Sequence, residues 1–116
     1  MNRIQEKKSK IKQLLVRAKD ELSKYRSYKK FANLSQACEK TWVAFALLVE
    51  LKTGKELSSN HSIEIESDNL GTFYSILYRD CFILHVVHYE GGYPDLNEQN
   101  LLNKIVVCIS KIKNNF

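Results

Sequence analysis

The sequence predicts an all-α fold, a four-helix bundle in a single domain over residues 1–116. Three observations predict it. Only one proline and four glycines occur in 116 residues that are 44% hydrophobic, which argues against a turn-rich β fold and against disorder. Four segments repeat apolar residues at spacings of three and four, the period of a helix with one buried face. Gly54 and the pair Gly91-Gly92 stand where helical segments should stop in a left-handed turn. A chain of this length suits one domain with a real core.

The first helix is expected from Asn2 to Tyr28, with Ile4, Ile11, Leu15, Ala18, Leu22 and Tyr25 as its seam. Nearly everything between them is charged, so this helix shows one narrow stripe to the bundle and the rest to water. The second helix is expected from Leu34 to Thr53, with Asn33 or Ser35 as cap and Gly54 as stop. Its apolar positions, among them Leu34, Ala37, Cys38, Trp42, Phe45, Leu48 and Val49, span a wide arc. That makes it more central than the first.

Residues 54–67, GKELSSNHSIEIES, lack helical periodicity. Ile63 and Ile65 alternate with Glu64 and Glu66, but one isolated strand makes no sheet. A long loop is therefore predicted here, of a length often tied to function. The third helix is expected from Asp68 to Tyr89, capped by Ser67 or Asp68. The fourth runs from Leu96 to Lys113, after Pro94, with Asp95 and Glu98 spaced as a capping box. Its stripe is Leu101, Leu102, Ile105, Cys108, Ile109 and Ile112.

The third helix carries two stripes at about 100° per residue. Phe73, Leu77, Cys81, Leu84 and His88 suit the core. Tyr78, Phe82, His85 and Tyr89 lie on another side and are too apolar for open water. They predict a homodimer interface. The alternative is that the loop 54–67 folds over them.

Charge and cysteine usage limit the function classes. Residues 1–30 hold eleven Lys or Arg and three acids, leaving +8 there and −3 over the rest. Such a helix fits nucleic acid or another acidic surface, or is simply a solvated lysine-rich face. Cys38, Cys81 and Cys108 are odd in number, form no C-x-x-C and sit in apolar patterns, so reduced buried thiols are expected. Cys81 lies four residues from His85, yet on the core stripe, which argues against a catalytic thiol. No apolar run approaches the roughly 20 residues of a membrane span. The charged N-terminus lacks a signal-peptide hydrophobic region, so a cytoplasmic protein without a membrane partner is expected.

The chemistry concentrates in Arg79-Asp80-Cys81-Phe82-Ile83-Leu84-His85, followed by His88 and Tyr89. An arginine holds phosphate in a forked geometry, and a histidine gives or takes a proton near neutral pH. Together they suit metal-independent RNA cleavage with the 2′-hydroxyl as internal nucleophile. They stand six positions apart, with five residues between, so they lie about 120° apart and about 9 Å along the axis. Two copies across a dimer would complete such a site. The alternative is that Arg79 pairs with an acid and His85 is a satisfied interface residue. His61, His88 and Tyr89 are candidate binding residues around it. His61, Asp80, His85 and His88 also have the chemistry of metal ligands, but there is no H-E-x-x-H, and no metal or cofactor is expected.

Two segments resemble the HEPN-like superfamily. Asn33-Leu34-Ser35-Gln36-Ala37-Cys38-Glu39-Lys40-Thr41-Trp42 resembles the start of its second helix, and Leu84-His85-Val86-Val87-His88-Tyr89-Glu90-Gly91 resembles the end of the third helix in its archaeal paREP-type branch. The resemblance implies an antiparallel four-helix bundle, like that of nucleotidyltransferase substrate-binding subunits, and commonly a homodimer. It implies ribonuclease activity at an R-x(4–6)-H motif, matched by Arg79 and His85 with Asp80 at the polar position after the arginine. Some members are toxins of toxin–antitoxin pairs. Others are non-catalytic partners of nucleotidyltransferases.

Overall fold

The basic N-terminal segment folds as one uninterrupted helix, α1 (Arg3–Tyr28), because it contains no residue that breaks one. The computed structural model describes residues 2–92 and 96–116. Asn2 caps α1 by accepting the Gln5 amide at 2.9 Å, and Lys29 ends it in the left-handed region at φ 58°. Ile11, Leu15, Ala18, Leu22 and Tyr25 are buried as predicted, but Ile4 is exposed, since the helix end there runs past the core.

α2 (Phe31–Thr53) starts earlier than the predicted Leu34. Asn33 and Ser35 therefore lie inside the helix and do not cap it. Gly54 stops it at φ 71°. The wide apolar arc is buried, with Ala37, Cys38, Thr41, Ala44, Phe45, Leu48 and Val49 fully enclosed. Thr41 satisfies its hydroxyl by donating to the Ala37 carbonyl at 2.8 Å, so the one polar side chain at the helix centre leaves no orphan.

The predicted loop 54–67 is corrected. Residues 60–70 form a helix, α3 (Asn60–Leu70). Ser59 caps it: its Oγ accepts the Ser62 amide at 3.1 Å, and the Ser62 Oγ accepts the Ser59 amide at 3.2 Å. The inward stripe is Ile63, Ser67 and Leu70, and Ser67 hides its polarity by donating to the Ile63 carbonyl at 2.7 Å. Ile65, which gave the impression of alternation, is exposed.

The predicted Asp68–Tyr89 helix is corrected too. Gly71, at φ 121°, separates α3 from α4 (Thr72–Glu90), a backbone angle that a side chain would strain. Neither Ser67 nor Asp68 caps α4. Asp68 instead accepts from the Ser75 hydroxyl at 2.6 Å and ties the two helices together. Of the core stripe, Leu77, Cys81 and Leu84 are fully buried, whereas Phe73 is exposed near the start of α4.

α5 (Glu98–Lys113) is capped by Asn97, which accepts the Asn100 amide at 2.8 Å. Pro94 and Asp95, predicted to set its start, lie outside the described residues. The stripe from Leu101 to Ile112 is buried as predicted.

The five helices place α2 at the centre, the one helix that packs against all four others among the described residues. α1 covers one flank of α2 and touches α5. α4 and α3 cover the other flank. Lys7, early in α1, meets Glu50, late in α2, at 3.6 Å, so these two run antiparallel. α2 and α4 are antiparallel as well: Ser35 faces His88, Glu39 faces His85, and Phe45 faces Tyr78. No helix among the described residues is long and apolar enough to cross a membrane.

Candidate functional site

The α2–α4 seam begins in aromatic packing and ends in polar chemistry. Trp42 sits between the two. Its ring centroid lies 5.9 Å from Tyr78, 5.9 Å from Phe82 and 4.9 Å from His85. The stripe Tyr78–Phe82–His85 is thus covered largely from within the chain, by α2 and by α3. Tyr78 is buried, and burial together with Glu64 and Asp68 of α3 raises its hydroxyl above the ordinary value. This removes the need for an outside partner at Tyr78. Tyr89 is the member left in water, 69% exposed.

Glu39 organises the polar end. Its Oε1 accepts from His85 Nδ1 at 2.9 Å, and its Oε2 lies 3.7 Å from His88 Nε2. His88 Nδ1 meets the Ser35 hydroxyl at 2.7 Å and the Ser35 carbonyl at 3.2 Å. On the outer side, the Asn60 amide reaches His85 Nε2 at 3.4 Å. A carboxylate only accepts, so the 2.9 Å contact places a proton on His85 Nδ1. An amide N–H donating to Nε2 then leaves Nε2 as the acceptor. With Asn60 so oriented, the two contacts favour the Nδ1–H tautomer, with the Nε2 lone pair turned toward the surface. The His85 side chain is 16% exposed and Glu39 20%, so the pair is half-buried and reachable. Tyr89 closes the outer edge, its ring 4.7 Å from His85 and 5.2 Å from His88.

The other predicted residues go elsewhere. Arg79 is exposed on the outward face of α4 and has no ion-pair or hydrogen-bond partner among the described residues. Asp80 is not brought to His85. It turns toward α5 and accepts from Lys104 Nζ at 2.8 Å, because position 80 falls on the side of α4 that packs against that helix. His61 projects into solvent from the first turn of α3, 3.9 Å from Glu64 and 79% exposed. Cys81 is fully buried beside Cys108, and burial drives its thiol well above the ordinary value, so no nucleophile forms next to His85. Among the described residues, no three His, Cys, Asp or Glu side chains gather as a ligand set.

Sequence reasoning placed none of Glu39, Ser35, Trp42 or Asn60 in the site. A signal for three of them was present: Ser35, Glu39 and Trp42 stand at i, i+4 and i+7, one face of α2. Asn60 had none, since its helix was read as a loop.

No family model, curated protein or solved structure matches the chain.

Proposed function

We propose that the chain is a HEPN-like protein, an antiparallel bundle of α1, α2, α4 and α5 with α3 laid across it, and that it binds and cleaves RNA without a metal. The observation that carries this reading is the half-buried His85, oriented by Glu39 with Nε2 turned outward. In the reaction Nε2 takes the proton of the 2′-hydroxyl. The 2′-oxygen attacks phosphorus, the bond to the 5′-oxygen breaks, and a proton supplied by the opposite histidine or by water reaches that leaving oxygen. Glu39 stabilises the imidazolium that forms. Arg79 stands about 120° from His85 on the same helix, so the phosphate is held by Arg79 of a second copy, and the active unit is a homodimer.

The test is incubation with single-stranded RNA in a chelator, reading 2′,3′-cyclic phosphate ends. His85→Ala and Arg79→Ala should each lower cleavage about 10²–10⁴-fold. An equimolar mixture of the two variants should recover part of it, because one intact site forms in a mixed dimer. Intact RNA, or cleavage indifferent to both substitutions, would sink the proposal.

A second reading is a non-catalytic module that binds RNA, a nucleotide or a nucleotidyltransferase. It is favoured by the 3.4 Å contact that already occupies His85 Nε2. It predicts saturable RNA or nucleotide binding, or a co-purifying nucleotidyltransferase, with no cleaved product.

A further inference from the structure

The seam between α1 and α5 uses none of the residues invoked above. These two helices touch only sparingly, which leaves the flank of α1 uncovered. Two clefts of about 360 and 300 Å³ follow one another there, and Lys19 lines both. Together they make one groove. From Lys12 to Arg26 it follows α1 for about 21 Å at 1.5 Å per residue.

The chemistry of the groove is divided. Its floor is apolar, with Val16 67% exposed beside the buried Leu15, and Val106 45% exposed beside the buried Leu22 and Ile109. Its edges are cationic: Lys12, Lys19, Arg26 and Lys113. Among the described residues none of these four has an ion-pair partner, and no acidic side chain lines either cleft. Elsewhere on α1, Lys24 is answered by Asp20 at 3.2 Å and Lys7 by Glu56 at 3.0 Å, while Lys8, Lys10 and Arg17 have no ion-pair partner among the described residues. What sets the groove apart is that four unanswered cations border an uncovered apolar strip there.

We infer that this groove seats an acidic amphipathic helix from a partner protein. A helix of about 14 residues matches the 21 Å run. Its apolar residues at i, i+3, i+4 and i+7 cover Val16 and Val106, and acids on its flanks meet the four cations. Charge selects this occupant over a second copy of the chain, whose net +5 and basic α1 would repel the same edges. The floor selects it over single-stranded nucleic acid, which wants stacked aromatic platforms where the groove offers only Phe116. No residue lining the groove is among those that contact His85, so its occupancy is tested independently of the RNA reading.

The experiment uses the full chain and three fluorescein-labelled synthetic peptides. The first carries the leucine stripe flanked by glutamates. The second has lysines for the glutamates, and the third has the first peptide's composition with the stripe scrambled. Anisotropy should show saturable binding of the first at about 1–50 µM, weakening several-fold in about 0.5 M salt. The other two should bind at least about tenfold more weakly. Val16→Glu and Val106→Glu sit at exposed positions and keep the fold, checked by circular dichroism, and each should weaken the first peptide about tenfold or more. Absence of saturable binding, equal binding of the scrambled peptide, or indifference to both substitutions overturns the inference. So does an RNA oligonucleotide or a phosphatidylserine vesicle that depends on the same valines when the peptide does not bind.

Discussion

Replacing Trp42 with alanine tests whether the core and the histidine site share one wall. The indole is 4% exposed and packs against Phe45, Tyr78, Phe82 and His85. A buried aromatic hides about 150–250 Å², which at about 25 cal/mol per Å² is about 4–6 kcal/mol. Alanine keeps the β-carbon, and partial collapse recovers some packing, so the expected loss is about 4 kcal/mol. In urea, at a slope of about 1.5 kcal/mol per M, the midpoint falls by about 2–3 M. On heating, the same loss lowers Tm by about 12–20 °C for a domain of this size. Trp42 is the only tryptophan, so helix circular dichroism must be the probe. Trp42→Phe keeps a ring against Tyr78 and should cost about 1–2 kcal/mol. A loss under about 1 kcal/mol for the alanine variant, at unchanged slope, would refute the packing described here.

Ser59→Ala removes the capping box of α3 and should cost about 0.5–2 kcal/mol, with faster amide exchange confined to residues 60–70; uniform exchange would contradict an independently capped α3. Asp80→Asn should cost about 1 kcal/mol or less by denaturation and leave RNA cleavage unchanged, since Asp80 serves Lys104 and not His85. Burial pushes the Cys38 thiol up from the ordinary 9.0 to about 12. The folded state therefore keeps its proton at pH values where the unfolded chain has lost it, so stability is full below pH 9 and falls as pH rises from 9 toward 12. Urea midpoints against pH should show that fall, reduced in Cys38→Ala, and a flat profile would contradict the burial.

Much of the helical framework was legible because its seams are strictly periodic. Ile11, Leu15, Ala18, Leu22 and Tyr25 of α1 and the α5 stripe from Leu101 to Ile112 are buried as their spacing required. α3 was missed for a physical reason. Its inward stripe contains a serine, Ser67, whose hydroxyl is satisfied by its own helix, while the exposed Ile65 mimicked a strand. Gly71 was passed over because a lone glycine between helical patterns reads as tolerated, whereas here its φ of 121° turns the chain. The missing helix then distorted the reading of α4. With that segment read as a loop, Tyr78, Phe82, His85 and Tyr89 pointed first to a second copy, whereas the alternative, cover by residues 54–67, is nearer to what α2 and α3 supply at Tyr78, Phe82 and His85. The site was half visible. His85, His88 and Tyr89 do cluster, but Glu39 lies 46 residues from His85 in sequence, and no local pattern announces that pairing.

The most direct measurement is the protonation pattern of the His85 ring, read by long-range proton–nitrogen correlation at mildly alkaline pH, where imidazoles are neutral. Nδ1 should carry the hydrogen and Nε2 should show the signature of a bare acceptor. Glu39→Ala should shift the ring toward the Nε2–H tautomer, because the acceptor that fixes Nδ1–H is gone. Nε2–H already dominant in the unaltered protein, or a pattern indifferent to Glu39→Ala, would contradict the claim that Glu39 sets the chemistry of this site.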